Sequence, residues 1–266
     1  MLDITSPHNP KLKAAIQLRE RKHRRERGAF LIDGVSEIVR AVAAGVELES
    51  LFVDAEQASS TELMQLCDEV QGRKMPVFRT ASVAFEKLAF GDRNEGAVAI
   101  ARQWDTSLAQ LQLPANPLVA IVEGIEKPGN LGAILRTADA AGVSAVIATG
   151  AGTDWFNPNT VRASLGAIFT VPVATAEVDE ILIWLRERKL ATYAARVDAA
   201  VGYTSVSYRE PSAIVLGSEA EGLTKAWSSE HATGIILPML GKVDSLNVSV
   251  TAAVLFYEAQ RQRRSE

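Results

Sequence analysis

From Leu118 onward the sequence alternates short, continuous apolar runs with stretches of helical period. Few architectures satisfy that alternation other than a mainly parallel sheet covered by helices on both faces. Residues 118–122 are a run of strand formers, a helix follows over 131–141, Gly142 ends it, and 145–148 return as a strand, which makes a βαβ unit. The strand series continues through 171–173, 190–195, 214–216 and 235–237, with a helix over 177–188 and a last one running to Gln260. That last helix is apolar nearly all round over 250–257, so it needs burial on more than one side, inside one chain or against a second.

A smaller α/β domain precedes this one. Strands are expected at 30–32 and 51–53, helices at 35–44 and 61–70 with Gly45 and Gly72 at their ends, a polar turn over 91–95, and a closing strand over 96–101. The leucine-spaced polar stretch that runs into Pro114 and Pro117 breaks the pattern. The expected organisation is therefore a domain over 1–103, a linker over 104–116 and a second domain over 117–266.

Composition narrows the chemistry. Cys67 is the only cysteine, and His8, His23 and His231 stand in no spacing that suits a metal site or a Ser-His-Asp arrangement, so no metal is expected. No apolar run approaches the roughly 18 residues that span a bilayer, so a cytoplasmic protein with no membrane partner is expected. The net charge of −4 hides a local excess: residues 11–27 carry eight Lys or Arg against two Glu. Leu12, Ala15, Ile16 and Leu18 recur at helical spacing there. The expectation is one basic helix whose Lys11, Arg19, Arg21, Lys22, Arg24 and Arg25 face phosphates, against the plainer reading of a solvated helix with Glu–Arg pairs.

Three segments carry polar residues where strands run into loops. Glu123-Gly-Ile-Glu-Lys-Pro-Gly-Asn-Leu-Gly-Ala-Ile-Leu-Arg-Thr-Ala-Asp139 is a strand end, a turn and a helix start. Asn130 is placed there to cap the helix or meet a ligand, and Arg136 lies off the apolar stripe, free or paired with Asp139. Ile214-Val-Leu-Gly-Ser-Glu-Ala-Glu-Gly-Leu223 runs into a glycine loop that could approach a nucleotide-like ligand closely, with Glu219 as acceptor. In the third segment Ser245, Asn247 and Ser249 alternate with apolar residues before a helix, and capping accounts for one of them only. Gly150-Ala-Gly152 begins like a dinucleotide fingerprint, but Trp155 stands where Gly or Ala is required, which disfavours a hydride-transfer enzyme.

Taken together, Lys127-Pro-Gly-Asn-Leu-Gly-Ala-Ile-Leu-Arg-Thr-Ala, Leu216-Gly-Ser-Glu-Ala-Glu-Gly and Leu237-Pro-Met-Leu-Gly-Lys-Val-Asp-Ser-Leu-Asn-Val-Ser-Val resemble the three motifs of the SpoU/TrmH family of RNA ribose methyltransferases, in the SPOUT superfamily. Arg162-Ala-Ser-Leu-Gly-Ala-Ile-Phe is also similar, and Arg24-Arg-Glu-Arg-Gly-Ala-Phe-Leu-Ile-Asp-Gly resembles the ribosomal-protein-like substrate domain of two-domain members.

The resemblance implies a trefoil-knotted α/β domain, a homodimer, and methyl transfer from S-adenosylmethionine to a ribose 2′-hydroxyl of RNA, ribosomal rather than transfer RNA. A non-catalytic RNA-binding protein on the same fold is the competing class. Carried over by position, Asn130, Arg136, Glu219, Ser245 and Asn247 are the catalytic candidates, and Gly217, Leu237, Leu246, Thr149 and Ile236 the donor-binding ones. Lys127 departs from the Asn or Asp that many members carry. The resemblance casts Arg136 as the aid to proton removal, but a free guanidinium, with a pKa above about 12, is a poor base. A phosphate clamp is the easier role.

Overall fold

The computed structural model describes residues 1–90, 95–219, 221–228 and 230–264, so most of the turn expected at 91–95 lies outside the described residues. The chain forms two compact units. One comprises Met1–Trp104 together with Asp154–Phe169, and the other Asp105–Thr153 with Thr170–Glu266.

The first unit is built on a five-stranded mixed sheet: β1 (Leu2–Ile4), β4 (Val77–Thr80), β3 (Leu48–Asp54), β5 (Ala97–Arg102) and β2 (Ala29–Asp33), in that spatial order. β1, β4 and β3 run parallel, and β5 is antiparallel to both of its neighbours. Its helices are α1 (Pro10–Gln17), α2 (Arg21–Arg27), α3 (Val35–Ala43), α4 (Thr61–Gly72) and α5 (Ser82–Phe85). Leu12, Ala15 and Leu18 bury against Phe52, Phe78 and Phe85. Gly45 takes the left-handed turn after α3 (φ 79°), whereas Gly72 is the last residue of α4 and the left-handed position there falls to Lys74 (φ 60°).

Residues 154–169 contribute α7 (Pro158–Ala163) to this unit. Phe156 closes an aromatic cluster with Trp104 and Phe30, at ring separations of 4.7 and 5.0 Å. Arg162 pairs with the buried Asp33 at 3.3 Å.

The single basic helix expected over 11–27 is broken in two. Asn9 caps α1, with Pro10 in its first turn, and Leu18, 1% exposed, turns inward on a tight bend. The break leaves carbonyls unsatisfied, and Arg24 folds back to satisfy them. Its guanidinium donates to the Leu18 and Arg19 carbonyls at 2.9 and 2.6 Å and pairs with Asp154. Arg24 is thus 2% exposed and not available to phosphate, contrary to its place in the expected set. Arg19 is similarly engaged, donating to the carbonyls of Lys87, Leu88 and Ala89. Arg21, Lys22 and Arg25 are exposed on α2, and Lys11 stands exposed over the Phe78 ring.

The second unit is a seven-stranded parallel sheet in the order β10 (Val201–Gly202), β12 (Thr233–Ile236), β9 (Ala191–Ala195), β11 (Ser212–Leu216), β6 (Leu118–Glu123), β7 (Ala145–Thr149), β8 (Val173–Thr175). On one face, α8 (Val178–Glu187) presents Ile181, Trp184 and Leu185 to Val119, Ile121, Ile147 and Val215. Leu111, with Leu108 and Leu113, packs into the same core, so the stretch expected as a linker is docked on the sheet.

On the other face, α6 (Pro128–Ala141) and α9 (Val248–Arg264) pack on each other. α6 buries Leu131, Ile134, Leu135 and Ala138, and α9 buries Ala252, Leu255, Phe256 and Ala259 while leaving Val250 and Tyr257 exposed. Among the described residues no helix is long and apolar enough to cross a membrane.

Candidate functional site

The chain reverses direction across the sheet beside β6, where β11 enters as its neighbour. Crevices at such switch points lie beyond the carboxyl ends of the strands, and here the loops after β6 and β11 meet the start of α9.

Asn130 is not a cap. α6 begins two residues earlier, with Lys127 at its N-cap and Pro128 in its first turn, so the Asn130 side chain is free to reach across. Its Nδ2 donates to Glu219 Oε1 at 3.1 Å. Asn247 Nδ2 donates to the same oxygen at 2.5 Å and to Asn130 Oδ1 at 3.2 Å. Asn247 Oδ1 accepts the Ser249 N–H and hydroxyl, so Asn247 also caps α9, the role expected of one of these residues.

Lys127 completes the cluster, with Nζ donating to Glu219 Oε2 at 2.7 Å. Lys127 holds the Glu219 carboxyl below the usual range, helped by Asn130 and the Val248 N–H. Glu219 is therefore a fixed anion that orders two carboxamides rather than a proton acceptor. The sequence singled out Lys127 only as a departure; its membership became visible once β6 and β11 were neighbours.

The glycine loop that carries Glu219 is folded on itself. Ser218 and Gly222 form a bridge, and a Cβ on Gly217 would stand 2.4 Å from the Gly222 carbonyl atoms. Its root is pinned where Thr224 donates its N–H and hydroxyl to the buried Glu123 at 2.8 and 2.9 Å.

This loop separates two cavities. The first, about 450 Å³, is lined by Gly217, Ile236, Leu237 and Leu246 of the expected donor set, and by Ser245. Its size falls in the ~300–1,000 Å³ range of small-molecule sites, and apolar walls with a close backbone suit a nucleoside-bearing donor. Arg196 and Asp198, a bidentate pair at 2.8 and 2.9 Å on the loop after β9, also line it, though nothing in the sequence singled them out.

Thr149 does not line this cavity. β7 lies on the far side of β6 from β11, so Thr149 opens on the second cleft, about 830 Å³, across the loop. The structure also leaves two catalytic candidates outside the cluster. Ser245 lines the first cavity, and Arg136 lies exposed on α6 with no hydrogen bond or ion pair to another described residue. Asp139, its possible partner, accepts instead from Thr170.

Residues 117–257 match the SpoU rRNA Methylase family, and residues 9–99 match the MRM3-like substrate binding domain. The chain is 33% identical over 234 residues to the 23S rRNA (guanosine-2′-O-)-methyltransferase RlmB of Bordetella pertussis, covering 85% of this chain and 94% of that protein. It resembles the crystal structure of an RNA 2′-O ribose methyltransferase at TM-score 0.85 and 39% identity, over 98% and 99% of the two chains. The S-adenosylmethionine-bound rRNA methyltransferase of Sinorhizobium meliloti matches at TM-score 0.89 and 28% identity, over 97% of each.

With the parallel sheet, the donor-sized cavity and the Asn130–Glu219–Asn247 cluster, these likenesses define a methyltransferase that uses S-adenosylmethionine to modify RNA. The chain belongs to the SpoU rRNA Methylase family.

Proposed function

We propose that this protein transfers a methyl group from S-adenosylmethionine to a ribose 2′-hydroxyl of ribosomal RNA, in the cytoplasm and as a homodimer. One observation carries the reading: in a SpoU family member, the donor-sized cavity and the Asn130–Glu219–Asn247 cluster share a single wall, the loop after β11. The ribosomal choice rests on the MRM3-like match over residues 9–99 and on relatives named for ribosomal RNA.

The donor would be held by Gly217, Ile236, Leu237 and Leu246, and it supplies an activated methyl group on a positively charged sulfur. The chain's own task is then alignment, which can be worth several powers of ten in rate without any metal. Glu219 locks the Asn130 and Asn247 amides, and in this reading those amides hold the ribose hydroxyl. Arg136, exposed and unengaged among described residues, serves the RNA as a phosphate clamp. Exposed Arg21, Lys22 and Arg25 add salt-dependent affinity.

The homodimer is supported by Val250 and Tyr257, large apolar side chains left 47% and 49% exposed on α9. The knot is supported by strand order: β11 enters between β6 and β9, and β12 between β9 and β10, strands that precede them in the chain.

The test is mapping of ribose methylation on ribosomal and transfer RNA incubated with the protein and S-adenosylmethionine. A single new 2′-O-methyl group in ribosomal RNA is expected. Modification confined to transfer RNA would overturn the substrate, and donor binding with no transfer to any RNA would overturn the activity.

A further inference from the structure

The second cleft is lined by none of Gly217, Ile236, Leu237 and Leu246, is the larger of the two, and borders the proposed catalytic cluster through Lys127, Asn130 and Glu219. Its inner wall is formed by the ends of β6 and β7. Thr149 there is 0% exposed, and its hydroxyl has no hydrogen-bond partner. A buried hydroxyl left unpaired is unfavourable, and in a cleft wall it marks a place where a ligand can complete the bond. Beside it the wall is bare backbone, because a Cβ on Gly150 would stand 3.3 Å from the Gly124 nitrogen.

The charge of the cleft decides what can enter. Glu126, Glu177, Asp179 and Glu221 line it, and its one described lining cation, Lys127, is already paired with Glu219. Phosphate is repelled from such a lining. A divalent cation is disfavoured too, since no group of three or more His, Cys, Asp or Glu among the described residues is placed to hold one. What fits is a flat group rich in N–H donors that is attached to the reacting ribose.

Resting on the proposed function, we infer that this cleft takes the base of the nucleotide being methylated and selects guanine. Guanine offers adjacent N1–H and N2–H donors to a carboxylate, and its O6 can accept from the Thr149 hydroxyl. Of the carboxylates, Glu126 is the chosen partner, because it lies in the turn between β6 and α6, within four residues of Asn130. Uracil would set carbonyl oxygens against the acidic lining. Donor and acceptor then approach the cluster from opposite sides of the loop after β11.

The experiment uses the full chain and a synthetic fragment of ribosomal RNA around the mapped position, with the target base as guanine or as hypoxanthine, which lacks the N2 amino group. Thr149→Val is expected to slow single-turnover methylation about 10-fold or more while leaving the Kd for S-adenosylmethionine and the thermal midpoint unchanged. Wild type should discriminate against hypoxanthine by a similar factor, and Glu126→Gln should lose most of that discrimination.

A mapped pyrimidine target, a Thr149→Val rate within twofold of wild type, or a weakened donor Kd in that variant would each overturn the inference. So would tight Mg²⁺ binding without RNA that Glu126→Gln abolishes. Absence of methylation by the wild type on every RNA would sink the underlying reading and this one with it, whereas a pyrimidine target would sink this one alone.

Discussion

Gly217→Ala puts one methyl group into the wall between the two cavities. The added Cβ would lie 2.4 Å from the Gly222 carbonyl carbon and oxygen and 2.7 Å from Leu223 N, against 3.4 Å where ordinary contact begins. All three atoms are backbone, so relief requires a loop movement of about 1 Å rather than a side-chain swing. The movement is trapped between fixed ends, because Leu216 lies in the middle of the sheet and Thr224 is held by two bonds to Glu123.

It therefore falls on Glu219, whose bonds of 2.5, 2.7 and 3.1 Å to Asn247, Lys127 and Asn130 cannot all survive it. A misplacement of about 1 Å in a reacting constellation costs about 100-fold in rate, and overpacking of this kind costs about 1–3 kcal/mol of stability. Calorimetry with S-adenosylmethionine and single-turnover methylation should show both donor affinity and rate falling. Gly72→Ala, where an added Cβ meets nothing within 4 Å at the end of α4, is the control and should keep both. A Gly217→Ala protein with wild-type donor affinity and a rate within threefold would refute the shared-wall argument.

Further outcomes follow from charge and burial. Because Lys127 keeps the Glu219 carboxyl ionised below its usual range, wild-type activity should persist as pH falls through that range, and Lys127→Ala should move the acid limb of the rate profile upward. An unmoved limb would disconnect Glu219's ionisation from turnover. Burial raises the Asp33 carboxyl to about 6, against the opposing Phe90 N–H and Arg162. A raised folded-state value means that ionisation opposes folding, so the penalty is absent below the unfolded pKa of 3.8, grows as pH rises through about 6, and reaches about 3 kcal/mol. Denaturant unfolding of Asp33→Asn between pH 4.5 and 7.5 should show a correspondingly smaller loss of stability with pH than wild type, and an identical slope would exclude Asp33 as the source. Arg24→Met should lower stability by about 3–5 kcal/mol through its unpaired partners, with folded-state RNA affinity unchanged. Arg25→Ala should do the reverse, keeping stability and weakening RNA binding with a shallower salt dependence.

Those last two variants show where the sequence was legible and where it was not. The apolar runs of β6, β7 and β11 stood out because strands buried on both faces need continuous hydrophobic residues. β1 and β10, edge strands of three and two residues, carry no such pattern. Charge density around Arg24 said nothing of where one guanidinium would go, because that depended on Leu18 turning inward and on Asp154, 130 positions away. Residues 154–169 fall among the motifs of the second unit in sequence but pack with the first. No periodicity marks that excursion. Asn247 was legible as a candidate because Ser245, Asn247 and Ser249 before α9 exceeded what capping could use, and Asn130 and Glu219 because they stand where strands run into loops and fall on the family motifs.

Thr149 lines the second cleft rather than the first for a reason that also explains the site. Proximity to a ligand in an open parallel sheet depends on which strands are neighbours, and the sequence order β6, β7, β11 becomes the spatial order β11, β6, β7. Insertion of β11 on the far side of β6 sets its loop above the switch point, with room on either side. A donor carrying a sulfonium and an acceptor carrying a hydroxyl must meet in line, and one cavity open to both would let either bind across the other's path. A folded glycine loop that carries the ordering carboxylate solves this geometrically. Gly217 keeps the wall thin, the Glu123–Thr224 bonds keep it still, and Glu219, which lines both cavities, holds the two carboxamides. The strand insertion thus supplies both the fold's unusual order and the partition between the two cavities.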